Sequence, residues 1–145
     1  MPPIIRPAHA RDSAALAEIY RDGRRQAFGW CDPATFRLDD FAADAQGEAI
    51  WLAQAADGTI AGFISVWAAD DFIHMLYVRE AWQRRGVGTA LLRALPGWPD
   101  RPYRLKCLVA NARARRFYEA HGFVAVGRGA SPEGDYDELR AGAPR

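Results

Sequence analysis

The chain has 145 residues, half of them apolar and about a quarter charged, with 19 basic residues against 18 acidic ones and a net charge of +1. That length sets a single domain over residues 1–145, burying roughly 70% of the surface its unfolded form exposes, and the composition excludes a disordered or fibrous chain. The near-neutral balance offers no global field for nucleic acid, no apolar run is long enough to cross a bilayer, and the start Met-Pro-Pro-Ile-Ile-Arg-Pro lacks the layout of a secretory signal.

Along the chain, Pro3–Pro7 reads as a first strand and Ala10–Arg25 as a helix with apolar positions at Ala14, Leu16, Ile19 and Tyr20. Phe28 to Phe41 is less regular, a loop with one short helix beginning near Arg37. Ala49–Ala55 and Ile60–Trp67 are apolar, β-branched or aromatic runs joined by Ala-Asp-Gly-Thr, a hairpin signal. Phe72–Val78 is the next strand. A helix after Gly86 must end by Leu95, because Pro96-Gly97-Trp98-Pro99 cannot continue it. Tyr103–Val109 is a strand, and Asn111–His121 a helix closed by Gly122 with Phe123 behind it. Phe123–Val126 and Tyr136–Leu139 are two short final strands, with Gly127–Asp135 a loop between them. The result is an α/β (α+β) chain, with a mixed sheet of six or seven strands and about four flanking helices. The sheet is antiparallel in its first half and parallel where a crossover helix joins Phe72–Val78 to Tyr103–Val109.

Gln83-Arg84-Arg85-Gly86-Val87-Gly88 lies between that strand and the helix beginning at Thr89-Ala-Leu-Leu. A strand, a glycine-containing turn and a helix start place backbone N–H groups around one point, which suits a pyrophosphate; Arg84 and Arg85 add positive charge there or form a solvated face. The loop is not a dinucleotide fingerprint, since it follows the fourth strand and Leu91 stands where a third glycine belongs, and no Gly-Lys-Ser/Thr follows for a P-loop. Asn111 is a good N-cap and Tyr118 an amphipathic helix-face residue. Seven residues is about two turns, so both can also face one extended ligand. Cys31 and Cys107 have no metal-ligand spacing or nucleophile context, which points to no metal and a reduced, cytoplasmic setting.

With the loop, the strand His74-Met-Leu-Tyr-Val78 before it and the helix Asn111-Ala-Arg-Ala-Arg-Arg-Phe-Tyr118-Glu-Ala-His-Gly122-Phe123 after it, the chain resembles the GCN5-related N-acetyltransferase (GNAT) family over about residues 4 to 140. The resemblance implies acetyl-CoA as donor, with Gln83, Arg84, Arg85, Gly86, Val87, Gly88 and Thr89 forming the pyrophosphate loop. It implies Asn111 and the Val78 backbone on the pantetheine, the Leu76 N–H at the oxyanion, and Tyr118 as general acid toward the thiolate. Family strands often carry an acidic base near the position of Phe72, which is absent here. His74, placed by simple alternation on one face with Phe72, Leu76 and Val78, is either the base or a histidine that lines the cleft, and Asp70 and Asp71 are alternatives through water.

The acceptor region maps to Arg25–Phe41 and Gly127–Tyr136. Either Phe28, Trp30 and Phe36 supply an apolar wall and Asp39 or Asp40 attracts a cationic amine, or all of them are ordinary packing of a short helix; Trp51 and Trp67 belong to core or cleft. The expected partner is a small-molecule amine acceptor, with no nucleic acid and no membrane, and a homodimer is open because the last strand is short. Three readings follow: an N-acetyltransferase for a small amine or amino-acid-like metabolite, one for a protein N-terminus or lysine, and a non-catalytic CoA-binding module.

Overall fold

The computed structural model describes residues 1–142, so the domain end expected at residue 145 lies outside the described residues. Seven strands, β1 (Ile4–Pro7), β2 (Ala49–Gln54), β3 (Ile60–Trp67), β4 (Phe72–Val78), β5 (Arg104–Leu108), β6 (Val124–Ser131) and β7 (Gly134–Arg140), form one sheet in the order β1-β2-β3-β4-β5-β7-β6. Four helices accompany it: α1 (Ser13–Ala27), α2 (Asp40–Asp44), α3 (Val87–Arg93) and α4 (Ala112–Ala120). No helix among the described residues is long and apolar enough to cross a membrane.

Two apolar clusters hold the layers together. Leu16, Ile19 and Tyr20 of α1 recur at helical spacing and meet Phe41, Leu52, Phe63 and Met75 on one sheet face. Leu91 and Leu92 of α3 meet Ile64, Ile73, Leu105, Phe123 and Leu139 on the other, with Phe117 and Tyr118 of α4 packed against them. The helix ends follow their side chains. Asn111 Oδ1 accepts the Ala114 N–H at 3.1 Å, and Gly122 takes the left-handed turn that ends α4 at φ +86°.

Around β4 the sheet departs from regularity in two places. First, β4 carries a bulge: Met75 pairs with Ser65 and Ile73 with Val66, which leaves His74 as the extra residue. The bulge overturns the simple alternation. Ile73 joins Leu76 and Val78 on the α3–α4 face, whereas Met75 and Tyr77 belong to the α1–α2 face. His74 sits beside Phe72, with ring centroids 6.5 Å apart. Second, the parallel pair β4–β5 is joined at one register point, Phe72↔Arg104, with the Arg104 N–H donating to Asp71 O at 3.0 Å. Beyond that point the two strands diverge and the sheet opens.

The C-terminal end also differs from expectation. Residues 127–135 are not a loop, because β6 and β7 run as one long hairpin that turns around residues 132–133. The glycines that suggest a loop have other tasks: Gly127 sits at a register shift, and a Cβ on Gly129 would lie 2.4 Å from the Tyr136 hydroxyl. Strand β7 is not short or open to completion by a partner. It spans seven residues and is hydrogen-bonded between β5 and β6, which leaves β6 and β1 as the edges.

Candidate active site

The divergence of β4 and β5 creates a cavity of about 660 Å³ that passes through the sheet. Its walls come from both faces: Gly23, Gln26 and Tyr77 from the α1 side, and Leu76, Val78, Phe117 and Tyr118 from the α3–α4 side. Gly23 is required by this geometry, since a Cβ there would come within 2.4 Å of the Tyr77 ring. That ring is wedged against Tyr20 and Phe63, and burial pushes its hydroxyl up to about 12.

Strand parity decides which backbone groups face the opening. The Arg79 N–H donates to Ala61 O, so the odd positions 77 and 79 bond toward β3. The N–H groups of Leu76 and Val78 therefore point the other way, into the gap where β5 no longer pairs. Val78 O points there too and accepts from Gln83 Nε2 at 3.0 Å. Gln83 Nε2 also donates to Gln26 Oε1, which ties the loop to α1.

The loop itself is built from alternating left-handed residues. Arg84 has φ +64° and Gly86, the N-cap of α3, has φ +78° and no side chain with which to cap the helix. The first-turn N–H groups of Val87, Gly88 and Thr89 have no intrahelical carbonyl to bond and border the cavity. A Cβ at Gly88 would lie 3.1 Å from the Phe117 ring, so glycine lets α3 and α4 approach. An uncapped turn of N–H groups against a groove fits a phosphorylated ligand. Gln83, Arg84, Gly86, Val87, Gly88, Thr89, Asn111 and Tyr118 all line the cavity. Arg85 instead lies 5.1 Å from the Trp82 ring, and Thr89 Oγ1 is hydrogen-bonded with His121 Nε2.

Residues 13–123 match the acetyltransferase (GNAT) family. The chain belongs to the GNAT family. It is 36% identical over 107 residues to an aminoglycoside N(6')-acetyltransferase type 1 of Stenotrophomonas maltophilia, covering 66% of this chain and 67% of that protein. Among solved structures, it is similar to a GCN5-related N-acetyltransferase from Rhodopseudomonas palustris (TM-score 0.78, 25% identity, 97% and 96% of the two chains). It shares its fold with Escherichia coli YjaB (TM-score 0.78, 18% identity, 97% and 98% covered).

Within this GNAT fold, Tyr118 is half-buried, its ring 5.3 Å from Phe117 and 5.4 Å from Phe123, and burial raises its hydroxyl pKa above the ordinary tyrosine value. Cys107 is buried, and its thiol is pushed up to about 11, which removes it as a nucleophile. His74 does not line the cavity with the residues of the glycine loop. It stands beyond the closed end of the opening, where Nδ1 meets Glu48 Oε2 at 2.5 Å. Sequence reasoning missed Glu48, whose side chain is 6% exposed and whose second oxygen has no partner among the described residues. No local signal marks it, because it reaches His74 only across the β2–β3–β4 ladder.

Asp70 is in the β3–β4 turn, and Asp71 is paired with Arg101 Nε at 3.0 Å. Asp40 is held by Arg24 and by the Arg37 N–H, each at 2.9 Å, so it braces α1 against α2. Phe28, Trp30 and Phe36 do form an aromatic group, which Trp30 ties to the β6–β7 hairpin by donating to Glu133 O at 2.9 Å. Trp51 packs on the α3–α4 core, whereas Trp67 is 42% exposed. Among the described residues, no group of three or more His, Cys, Asp or Glu side chains is placed to hold a metal.

Proposed function

We propose that this acetyltransferase moves an acetyl group from acetyl-CoA directly to the primary amine of a small molecule. The observation that carries this reading is the cavity crossing the sheet where β4 and β5 part, with a helix-start turn of unpaired N–H groups along it and a histidine–carboxylate pair beyond its closed end. The similarity to a protein named as an aminoglycoside acetyltransferase supports a small-molecule acceptor.

Acetyl-CoA supplies an already activated thioester, so no covalent enzyme intermediate is needed. The loop from Gln83 to Thr89 would hold the pyrophosphate, and Asn111 and Val78 the pantetheine arm. The Leu76 N–H would donate to the oxygen on which charge develops. His74 acts as base. Glu48 accepts from Nδ1–H, which fixes the ring and leaves the Nε2 lone pair to take a proton from the incoming ammonium. As the C–N bond forms and the C–S bond breaks, Tyr118 gives its proton to the departing sulfur and regains one from the new amide nitrogen. Its raised pKa suits this task by keeping the phenol protonated until then.

Thiol release from acetyl-CoA across a panel of amines tests the proposal. A small-molecule enzyme releases thiol with free amines in preference to peptides. Thermal stabilisation by CoA with no turnover on any amine or peptide would instead identify a binding module, and turnover confined to peptides a protein acetyltransferase.

A further inference from the structure

The mouth of the opening on the α1–α2 side has a charge pattern of its own. On β5, Leu105 and Cys107 are buried toward α3 and α4, so Arg104 and Lys106 stand on the opposite face. The register with β7 places Arg140, Glu138 and Tyr136 on that same face, opposite Arg104, Lys106 and Leu108. The α1–α2 cluster takes in buried residues of β2, β3 and β4 but none of β5, β6 or β7, so this helical layer does not reach the face. One edge is walled by the Trp30–Glu133 bridge.

The Arg104 guanidinium lies 5.6 Å from the Phe72 ring, which is itself next to His74. The Lys106 ammonium lies 4.9 Å from the Tyr136 ring. Three carboxylates belong to the region: Glu138 lies 3.4 Å from Arg104, Glu48 is held by His74, and Glu133 stands at the walled edge, where its charge acts on the Tyr77 hydroxyl. Asp135 and Asp137 have the opposite parity on β7, and Asp137 is bound by Arg115 and Arg128. Lys106 is the only lysine in the chain. Neither it nor Arg140 takes part in any ion pair among the described residues. Lys106 and Arg140 are therefore the cations of this face left available to an anion that the substrate brings.

We propose that this face selects acceptors that carry an oxyanion, a carboxylate above all, in addition to the amine. Lys106 and Arg104 hold the carboxylate while the amine reaches His74. The inference rests on the acetyltransferase reading above and narrows its substrate class to amino acids in the broad sense. A polycationic amine meets Arg104, Lys106 and Arg140 as like charges, so such compounds are poor acceptors.

Steady-state thiol release with acetyl-CoA would compare α-, β- and ω-amino acids with their carboxamides, with the corresponding amines lacking the carboxylate, and with kanamycin. The carboxylate members are expected to exceed their carboxamides in kcat/KM by about tenfold or more, as a charge-assisted contact provides. Lys106→Gln should raise KM for the carboxylate members about tenfold more than for the carboxamides, and Arg104→Gln should act in the same direction. Equal or better use of carboxamides or kanamycin, or an equal effect of Lys106→Gln on both members of a pair, would overturn the proposal. If no amine is turned over, thermal shift of the acetyl-CoA-saturated protein decides. A Lys106-dependent stabilisation by the amino acids supports the anion site, and its absence rejects it. Absence of stabilisation by acetyl-CoA alone, read separately, would place the failure in the donor reading instead.

Discussion

Tyr118 and Asp12 illustrate opposite uses of burial at the residue scale. The Tyr118 hydroxyl is kept protonated by its apolar neighbours, so it remains a proton donor well into the alkaline range. Tyr118→Phe is expected to lower kcat about 100-fold with little change in the KM for acetyl-CoA, and the wild-type kcat should not fall on the alkaline side below pH ~10. Steady-state rates measured as a function of pH check both. Asp12 is buried but charged, because Arg6 donates to it through two nitrogens at 2.9 and 3.0 Å and the His9 N–H adds a third bond at 2.7 Å. The Arg6 contact is the largest cause and holds its pKa down to about 2. Since the folded value lies below the unfolded one, the stability it supplies is complete above pH ~4 and is lost as pH falls toward 2. Asp12→Asn should cost about 1–2 kcal/mol at pH 7 and almost nothing near pH 2, as read by urea denaturation at the two pH values.

Elements are positioned by a few close approaches. Helix α1 meets β4 through Gly23, which leaves room for the Tyr77 ring, and β3 meets β4 through Gly62, whose Cβ would lie 2.7 Å from Tyr77 O. The interior of a helix normally favours alanine over glycine by roughly 0.5–1 kcal/mol. Here the sign reverses, because a methyl at Gly23 would collide with a wedged aromatic ring. Gly23→Ala is expected to destabilise the protein by about 1–3 kcal/mol and to displace Tyr77 from the cavity wall. Thermal denaturation should show the loss, and the near-ultraviolet dichroism of the Tyr20–Tyr77–Phe63 group should change. A neutral or stabilising result would mean that the ring moves aside freely.

At the scale of the whole molecule, the sheet is continuous except where β4 and β5 part, and binding in that gap joins its two halves. A ligand seated there binds the folded state only and must raise its stability by mass action, by about 2.7 kcal/mol at a hundred times its dissociation constant. Acetyl-CoA should therefore raise the midpoint of thermal unfolding in a concentration-dependent way. Gly86→Val should weaken that response strongly, while its cost to the apo-protein stays near 1 kcal/mol, since a Cβ at Gly86 meets nothing within 4 Å and the penalty comes from φ +78° alone. An unchanged acetyl-CoA response in Gly86→Val would remove the loop from the donor site.

Much of this architecture is local and can be read from the chain. The strands from Ala49 to Val78, the hairpin at Asp57-Gly58, the glycine loop after β4 and the Asn111-to-Gly122 helix each follow from periodicity, capping and turn chemistry within a few residues. The loop and the helix also carry the family resemblance, because their order and separation belong to the sequence itself. The face of the sheet that His74 occupies is not local. It depends on a bulge created by pairing with β3, and one extra residue reverses the alternation that a single strand predicts. Nor is the carboxylate behind His74, since Glu48 arrives from 26 positions away through two strand pairings. The long β6–β7 hairpin was hidden for a related reason: glycines at 127 and 129 look like loop residues until Tyr136 is placed across them. The sequence alone determined most of the elements and the glycine loop before α3, because turns, caps and helix periods are short-range. The tertiary structure alone decided what stands at the far mouth of the opening, because strand register brings distant charges onto one face.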